Sequence, residues 1–505
     1  MIAWLLISFF VLLFLGVPIA MSLGLSAMGG ILFLGGGSTV TIAQRMFEGM
    51  NSFALLAIPL YTFAGFTMSK GGISKRLMDF CYSIVGHIYG GLAHVNVLSS
   101  MIFAGISGSA VADTAGVSGM FMPEMVRKGY SKNFTVAVTA ISSTIGIIIP
   151  PSIPMVVIAG ICGISTGKLF LGGIIPGVLC GLAQMIVSYF MAKKEGVPKE
   201  PGHFTIGPVL HGLWESWPAL LMPIIIVGTI TMGIVSPTEA GVIAVVYGLF
   251  AGGIIPGILC GLAQMIVSYF LAKKEGVPKE PGHFTIGPVL HGLWESWPAL
   301  LMPIIIVGTI TMGIVSPTEA GVIAVVYGLF AGGIIYRELK WEDIKFAFAE
   351  TVRTSGRIFI VIGAAKLYTV MLTTAGFDKW VAKTMLGFST NPTVILIMIL
   401  LIFFIVTMFM ESIATLTLFM PILYPIALGV GINPIVLSVL ITVVIGVGLV
   451  TPPVGMCIYV ACDLMDVTVG EVFPTLVPFI AATFVCIALM VAFPQLILLP
   501  TYLMA

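Results

Sequence analysis

The sequence predicts an all-α, polytopic membrane protein built from two related halves, and three observations carry that prediction. The 505-residue chain is 59% hydrophobic and only 9% charged, with a mean hydropathy of +1.15, whereas a soluble domain is about one quarter charged. Apolar segments of the length that crosses a bilayer as a helix, roughly 20 residues, fill most of it; they are far too long for the short alternating strands of a barrel. Third, two distant stretches are interrupted in the same way. The first holds Gly105 to Ser109 (GISGS), Asp113, Phe121-Met122-Pro123, and then Gly146 followed by Pro150-Pro151. The second holds Glu411, Ser412 and Thr415, Phe419-Met420-Pro421, and then Gly448 followed by Thr451-Pro452-Pro453. Asp113 and Glu411 each precede the proline of their Phe-Met-Pro by ten residues. Leu60-Tyr61-Thr62 and Leu367-Tyr368-Thr369 form a weaker echo.

Residues 1–33 read as a retained helix pair kinked at Gly16-Val17-Pro18; with no basic leader and no small-residue cleavage site they do not resemble a signal peptide. After Gly35-Gly36-Gly37 comes an amphipathic stretch over 39–51 and a span through 54–67. Segments 205–217 and 341–355 mix Trp or Phe with charges (Trp214, Trp217; Trp341, Phe346, Phe348) and suit the interface plane, either as plain loop helices or as bracing arms. The clusters Lys70-Lys75-Arg76 and Lys193-Lys194 read as cytoplasmic, which places the N-terminus outside. The seven cysteines (81, 162, 180, 260, 457, 462, 486) sit singly in apolar segments and read as small hydrophobes. A net charge of +1 gives no sign of a nucleic-acid partner.

Residues 172–255 recur as 252–335, an offset of 80, with two differences: Val178 becomes Ile258 and Met191 becomes Leu271. Transporter repeats are old and weakly similar, so a near-identical pair reads as a recent duplication or an assembly artefact. Each unit contains three candidate spans, near 172–192, 218–235 and 239–255. An odd insertion reverses the orientation of everything downstream. The doubled His203/His283, His211/His291 and Glu239/Glu319 therefore add no new ligands.

Non-helical backbone survives inside a membrane only where it is buried in protein or lines water. Paired interruptions in two halves mark the binding site of a secondary transporter. Glycine lets the chain turn, and proline removes an amide donor, so carbonyls upstream lose their helical partners. Carbonyl and hydroxyl oxygens at such breaks suit Na⁺. One candidate cation site combines Ser107, Gly108, Ser109, Gly146 and Pro150; the other combines Ser412, Thr415, Gly448 and Thr451. The bland alternative is that these small residues only permit close helix packing. Asp113 and Glu411 are candidates for coupling or for capping a hairpin helix. Lys366, inside an apolar run, is a candidate for a substrate carboxylate or for an internal pair.

With these residues in view, the chain resembles the large membrane subunit of a TRAP (tripartite ATP-independent periplasmic) transporter, the DctM family of the ion-transporter superfamily. The resemblance is carried by Gly105–Gly119 (GISGSAVADTAGVSG), Ile147–Pro154 (IIIPPSIP), Pro223–Gly241 with Ser236-Pro237-Thr238-Glu239-Ala240, Tyr336–Trp341 (YRELKW) and Gly448–Gly455. It covers essentially the whole chain apart from the extra copy. It implies an inverted-repeat, elevator-type fold with two re-entrant hairpins and broken helices. On that reading 1–95 supplies scaffold helices and an arm, and 96–171 the first hairpin and broken helix of a transport domain. Residues 172–251 form a scaffold and arm block, and 252–335 its copy. Arm and scaffold helices follow over 336–395, the second hairpin and broken helix over 396–470, and a last transmembrane helix over 471–505. The resemblance further implies Na⁺-coupled uptake of an organic acid such as a C4-dicarboxylate, with no cofactor beyond the coupling ion. Implied partners are a small four-helix membrane subunit, a periplasmic binding protein and the lipid bilayer of the bacterial inner membrane. The family's sodium-site and hairpin positions carry over onto Ser107, Gly108, Ser109 and Asp113.

Three other functions were weighed. A self-sufficient Na⁺/dicarboxylate symporter of the same superfamily shares every motif above. An intramembrane serine protease is suggested by G-x-S-G at Gly105–Gly108 and Gly116–Gly119, but it needs a histidine base near the serine. Outside the duplicated block only His87 and His94 are available, both upstream. A channel fits paired carboxylate-bearing hairpins less well than alternating access. No Walker A motif points to ATP hydrolysis. The chain therefore reads as a transporter and not an enzyme.

Overall fold

The computed structural model describes residues 1–34, 39–51, 53–56, 59–60, 63, 80–197, 341–453 and 455–504, with short pieces between 209 and 244. The second copy (252–335), most of 205–217, the cluster Lys70-Lys75-Arg76 and Tyr61-Thr62 lie outside the described residues. Among the described residues every regular element is helical.

Helix α1 (Ile2–Phe14) turns at Gly16, φ +80°, and Pro18 into α2 (Ile19–Leu34). The left-handed conformation is one that glycine adopts without steric cost. Trp4 and Leu5 of α1 lie against Gly29 and Gly30 of α2, close enough that a methyl group there would displace them. Helix α3 (Thr39–Met50) has no buried residue and runs along α9 (Trp341–Thr374), where Gly363 lets Met46 and Met50 approach. Nothing separates 341–355 from the span carrying Lys366: α9 is one helix of 34 residues with no proline. At 1.5 Å per residue it is about 51 Å long, well beyond the ~30 Å hydrocarbon layer, so the amphipathic portion is an extension of the span. Tyr368 fixes α9 to α1, its buried hydroxyl donating to the Leu5 carbonyl at 2.7 Å. Helix α10 (Phe377–Phe388) follows.

Each half then shows the same sequence of elements. In the first, α4 (Gly91–Ser107) turns at Gly108, φ +65°, into α5 (Ala110–Arg127), making a hairpin. Helix α6 (Lys132–Ser143) tightens into a 3-10 turn (Thr144–Ile147), breaks at Pro150-Pro151, and resumes as α7 (Ile153–Cys162). The long α8 (Thr166–Glu195) closes the half. In the second, the hairpin is α11 (Pro392–Thr407) and α12 (Ser412–Gly429). The broken span is α13 (Pro434–Gly448) and α14 (Met456–Asp463), and α15 (Val469–Ala492) closes it. Both proline pairs contain a cis peptide. Helix starts are set by side-chain caps at Ser131, Ser152, Ser165, Asn391 and Asn433, and by a Thr468/Glu471 capping box. Ser236 and Glu239 exchange the same pair of bonds. The eight residues of α14 rise only about 12 Å, so it is a half-helix and cannot cross alone.

The halves interlock by exchange. Helix α14 of the second half packs on α5 of the first, and α7 of the first packs on α12 of the second. Helix α15 lies on α6, and α8 lies on α13. Where the broken spans cross, Gly446 meets Thr144, and a Cβ at 446 would lie 3.2 Å from the Thr144 Cβ. Both residues precede the first proline of their break by six positions. The crossing thus brings counterpart positions of the two halves together.

Two apolar clusters result. One gathers α4–α8 with α11–α15; the other gathers α1, α2, α9 and part of α10. Helix α12 belongs to both. Its Ala414, Leu418 and Ile422, spaced four apart on one face, join the second cluster, while Ile413, Leu416, Met420 and Leu423 join the first.

Candidate functional site: two breaks at a crossing

At the first break, the α-helical donors for the carbonyls of Gly146 and Ile147 would be the amides of residues 150 and 151, and both are prolines. The Ser152 hydroxyl replaces one of them, donating to Ile147 O at 2.5 Å. The Gly146 carbonyl is left without its helical donor at the crossing. Directly over Gly146 lies the Asp113 carboxylate: a Cβ at 146 would overlap Asp113 Oδ2, so only glycine allows this approach. Asp113 is fully buried in the first turns of α5. The hairpin tip docks on the same break. Gly108 O accepts from Ile153 N at 3.1 Å, and a Cβ on Gly108 would fall 2.7 Å from Pro151 O. The structure thus brings Gly108, Asp113, Gly146 and the Pro150-Pro151 break together. Ser107 ends α4 and Ser109 begins the turn into α5.

At the second break, Pro452 and Pro453 deprive Gly448 and Leu449 of their α-helical donors. Leu449 O instead accepts from Cys457 N across the break at 3.0 Å, and Gly448 O from Thr451 N at 3.1 Å. The Thr451 hydroxyl donates to Val447 O at 2.7 Å and keeps its lone pairs as acceptors. Gly448 is faced by Thr407, the last residue of α11, whose Cβ and Oγ1 a methyl group at 448 would crowd. Sequence reading passed over Thr407. Counted back from the Phe-Met-Pro proline it holds the position of Ser109, fourteen residues upstream in each half.

Glu411, Ser412 and Thr415 form a compact cap. The Glu411 carboxylate accepts from Ile413 N at 3.1 Å, Ala414 N at 3.4 Å and Ser412 Oγ at 2.9 Å. Thr415 Oγ1 donates to Glu411 O at 3.1 Å. Glu411 is therefore the N-cap of α12, whereas Asp113, equal in register, already lies inside α5. Lys366 is seated elsewhere: its Cβ and Cγ lie against Gly49 of α3, on the arm side of α9. Around the first site a buried polar ladder ties α4 to α6. Asn96 Nδ2 donates to Thr139 Oγ1 at 2.7 Å, Ser142 Oγ to Asn96 Oδ1 at 3.1 Å, and Ser100 Oγ to Ser142 Oγ at 3.0 Å. Between its terminal threonines α11 carries only apolar side chains, so the second hairpin has no such ladder. Chemically, the first break offers one carboxylate with carbonyl oxygens, and the second offers hydroxyl and carbonyl oxygens. These are the donor types that hard cations take.

An all-helical membrane domain with two interlocked, broken halves defines the class as a membrane permease. The family model described as "Tripartite ATP-independent periplasmic transporter, DctM component" matches residues 6–252 and 247–496. The chain belongs to this family, which is one of transporter permeases and not of enzymes. The two matches meet inside the duplicated block. Among relatives, the isethionate TRAP transporter permease protein DctMQ of Oleidesulfovibrio alaskensis is 31% identical over 94% of this chain, which spans 62% of that protein's length. The sialic acid TRAP transporter large permease protein SiaM of Vibrio cholerae is 30% identical over 97% of this chain and 95% of its own. The C4-dicarboxylate TRAP transporter large permease protein DctM of Pseudomonas aeruginosa is 30% identical over 95% and 94%. The YdaH transporter structure from Alcanivorax borkumensis is similar at a TM-score of 0.43 and 13% identity, over 89% of this chain and 86% of that one.

Proposed function

We propose that this protein is the large membrane subunit of a Na⁺-coupled symporter that takes up an organic acid, C4-dicarboxylate-like, by an elevator movement in the bacterial inner membrane. A periplasmic binding protein delivers the acid, and a small four-helix membrane subunit completes the scaffold. The observation that carries this reading is the crossing. Two helices break back to back, a buried carboxylate covers one break and a threonine the other, and at the first break proline leaves the Gly146 carbonyl without its helical donor. Two oxygen sites, one at each break, would serve two coupling cations. The relatives named above carry isethionate, sialic acid and C4-dicarboxylate in their names, all organic anions, which supports the substrate class. Helix α12 lies between the two apolar clusters and is the surface along which one would slide on the other.

The test is uptake of labelled C4-dicarboxylate, sialate and isethionate into proteoliposomes, with and without an inward Na⁺ gradient, and with and without the binding protein. Uptake that needs both Na⁺ and the binding protein supports the reading. Uptake by the chain alone assigns it instead to self-sufficient symporters. Uptake unchanged by Na⁺ removal, or by Ser107→Ala combined with Thr415→Ala, overturns the cation sites.

A further inference from the structure

Two motifs of the second half have no part in the breaks: Leu367-Tyr368-Thr369 and Phe419-Met420-Pro421. The structure brings them together between α9 and α12. Pro421 lies inside α12, where an unbroken α-helix would have residue 421 donate to the Thr417 carbonyl. Proline has no amide hydrogen, so that carbonyl loses its helical donor. Thr417 is buried in a candidate membrane span, where bulk water cannot take the donor's place. The replacement comes from α9: the buried Thr369 hydroxyl donates to Thr417 O at 3.5 Å. Its neighbour Tyr368 donates to Leu5 O of α1 at 2.7 Å. Adjacent residues of α9 thus bond in two directions, one towards α1 and one onto the second hairpin. The first half carries both motifs again, as Leu60-Tyr61-Thr62 and Phe121-Met122-Pro123, with Pro123 inside α5.

We propose that Thr369 is a positioning residue: it latches the second hairpin onto α9 through the carbonyl that Pro421 frees, and the latch opens when α12 slides along α9. The opening rests on the elevator reading above; the latch itself does not. A helix offers a spare carbonyl only where proline or an end frees one, so the bond selects one axial position of α12 against α9. An O–H···O bond is usually 2.5–3.0 Å. At 3.5 Å this one is weak, which suits a contact broken at each passage.

The experiment is a double-mutant cycle in the purified full-length protein. Thr369→Val keeps the shape and removes the donor, and Thr369→Ser restores it. Pro421→Ala gives residue 421 an amide that serves Thr417 O from within α12. Two rates are read: heat inactivation in detergent, and initial uptake of labelled C4-dicarboxylate, sialate and isethionate into proteoliposomes at saturating Na⁺. Loss of a weak hydrogen bond corresponds to a factor of about two to five. Thr369→Val should inactivate faster by about that factor, Thr369→Ser should match wild type, and Thr369→Val should have no effect beside Pro421→Ala. Uptake by Thr369→Val should rise by about the same factor, because movement no longer starts from a latched state. Thr369→Val inactivating at the wild-type rate, a Ser variant as impaired as Val, or an equal effect of Val with and without Pro421 overturns the latch. Should Pro421→Ala not fold, the comparison of Val with Ser decides. Faster inactivation with uptake at the wild-type rate overturns the opening. Na⁺ and binding-protein omission on the same liposomes tests the transport reading itself; its failure removes the opening and leaves the latch to the inactivation cycle.

Discussion

Gly146→Ala tests the first site at its tightest point. A methyl group at 146 overlaps Asp113 Oδ2, and both residues are enclosed in the core. To regain van der Waals distance the carboxylate must withdraw by roughly one ångström, and a misplacement of that size can cost on the order of 100-fold at a site that depends on geometry. In the ion-free protein the side chain can swing aside at small expense. With the ion bound it must return and bear the overlap. Overpacking of a filled core costs about 1–3 kcal/mol, and each 1.4 kcal/mol is tenfold, so half-saturating Na⁺ should rise by about 5- to 150-fold. The Tm without Na⁺ should move far less. The assay is Na⁺ titration of uptake in proteoliposomes, with the Na⁺-dependent Tm shift as a readout free of transport. Gly387→Ala, in α10 with open space around its Cβ position, is the control and should titrate as wild type. A Gly146→Ala protein whose half-saturating Na⁺ lies within a factor of about two of wild type would refute the claim that Asp113 over Gly146 holds the cation.

Gly448→Ala should weaken the second site in the same assay by crowding Thr407, and Thr407→Val should do so by removing the hydroxyl; a wild-type Na⁺ curve in both would remove Thr407 from the site. Asn96→Leu removes the two bonds that tie α4 to Thr139 and Ser142, whose hydroxyls keep their backbone acceptors on α6, and should destabilise the protein by about 1 kcal/mol per bond lost, visible as a lower Tm in detergent. An unchanged Tm would mean that the ladder does not hold α4 to α6. Glu411→Ala removes the cap of α12 and should cost about 1 kcal/mol, while Glu411→Asn, a competent cap, should keep most of that stability. If the Asn variant is stable but loses Na⁺ dependence, Glu411 does more than cap.

The breaks were legible in the sequence because proline and glycine act through the backbone, whatever packs around them. Gly146 with Pro150-Pro151 and Gly448 with Pro452-Pro453 could be placed in register by counting, and so could the hairpins before each Phe-Met-Pro. Counting alone left open whether each carboxylate couples or caps. Asp113 and Glu411 hold the same register, but the first hairpin turns on Gly108 and starts α5 at Ala110, whereas the second starts α12 one turn later, behind its Glu411 cap. The same register therefore places one carboxylate inside its helix and makes the other an N-cap. Thr407 lies fourteen residues before its Phe-Met-Pro proline, as Ser109 does before its own, but it ends an apolar run with no glycine beside it to mark a turn. The continuity of α9 escaped for a simpler reason: an amphipathic stretch and an apolar one read as two elements unless a helix breaker is required between them, and 341–374 contains no proline.

The duplicated block bears on the same packing. Helix α8 fills a groove against α13, α15 and the segment 495–504 through a run of close fits. Gly172 meets Ile435, Val439 and Ile497; Gly173 meets Met155; Gly181 meets Met101; and Cys486 Sγ donates to Leu179 O at 3.8 Å. Residues 252–275 repeat this stretch almost unchanged, with Gly252, Gly253, Gly261 and Cys260 at the matching places. The groove accepts one segment, and residues 172–195 occupy it. A unit with three candidate spans reverses whatever follows it. Yet the second half packs on the first by reciprocal contacts, Thr144 on Gly446, which fix one relative orientation. Deleting residues 252–331, one full copy, should therefore leave α8 seated and the crossing intact. The shortened protein should express, melt at or above the full-length Tm, and take up substrate at least as fast in proteoliposomes. A deletion variant that loses its folded state while the full-length chain transports would show that the second copy carries part of the structure, and the orientation argument would fail with it.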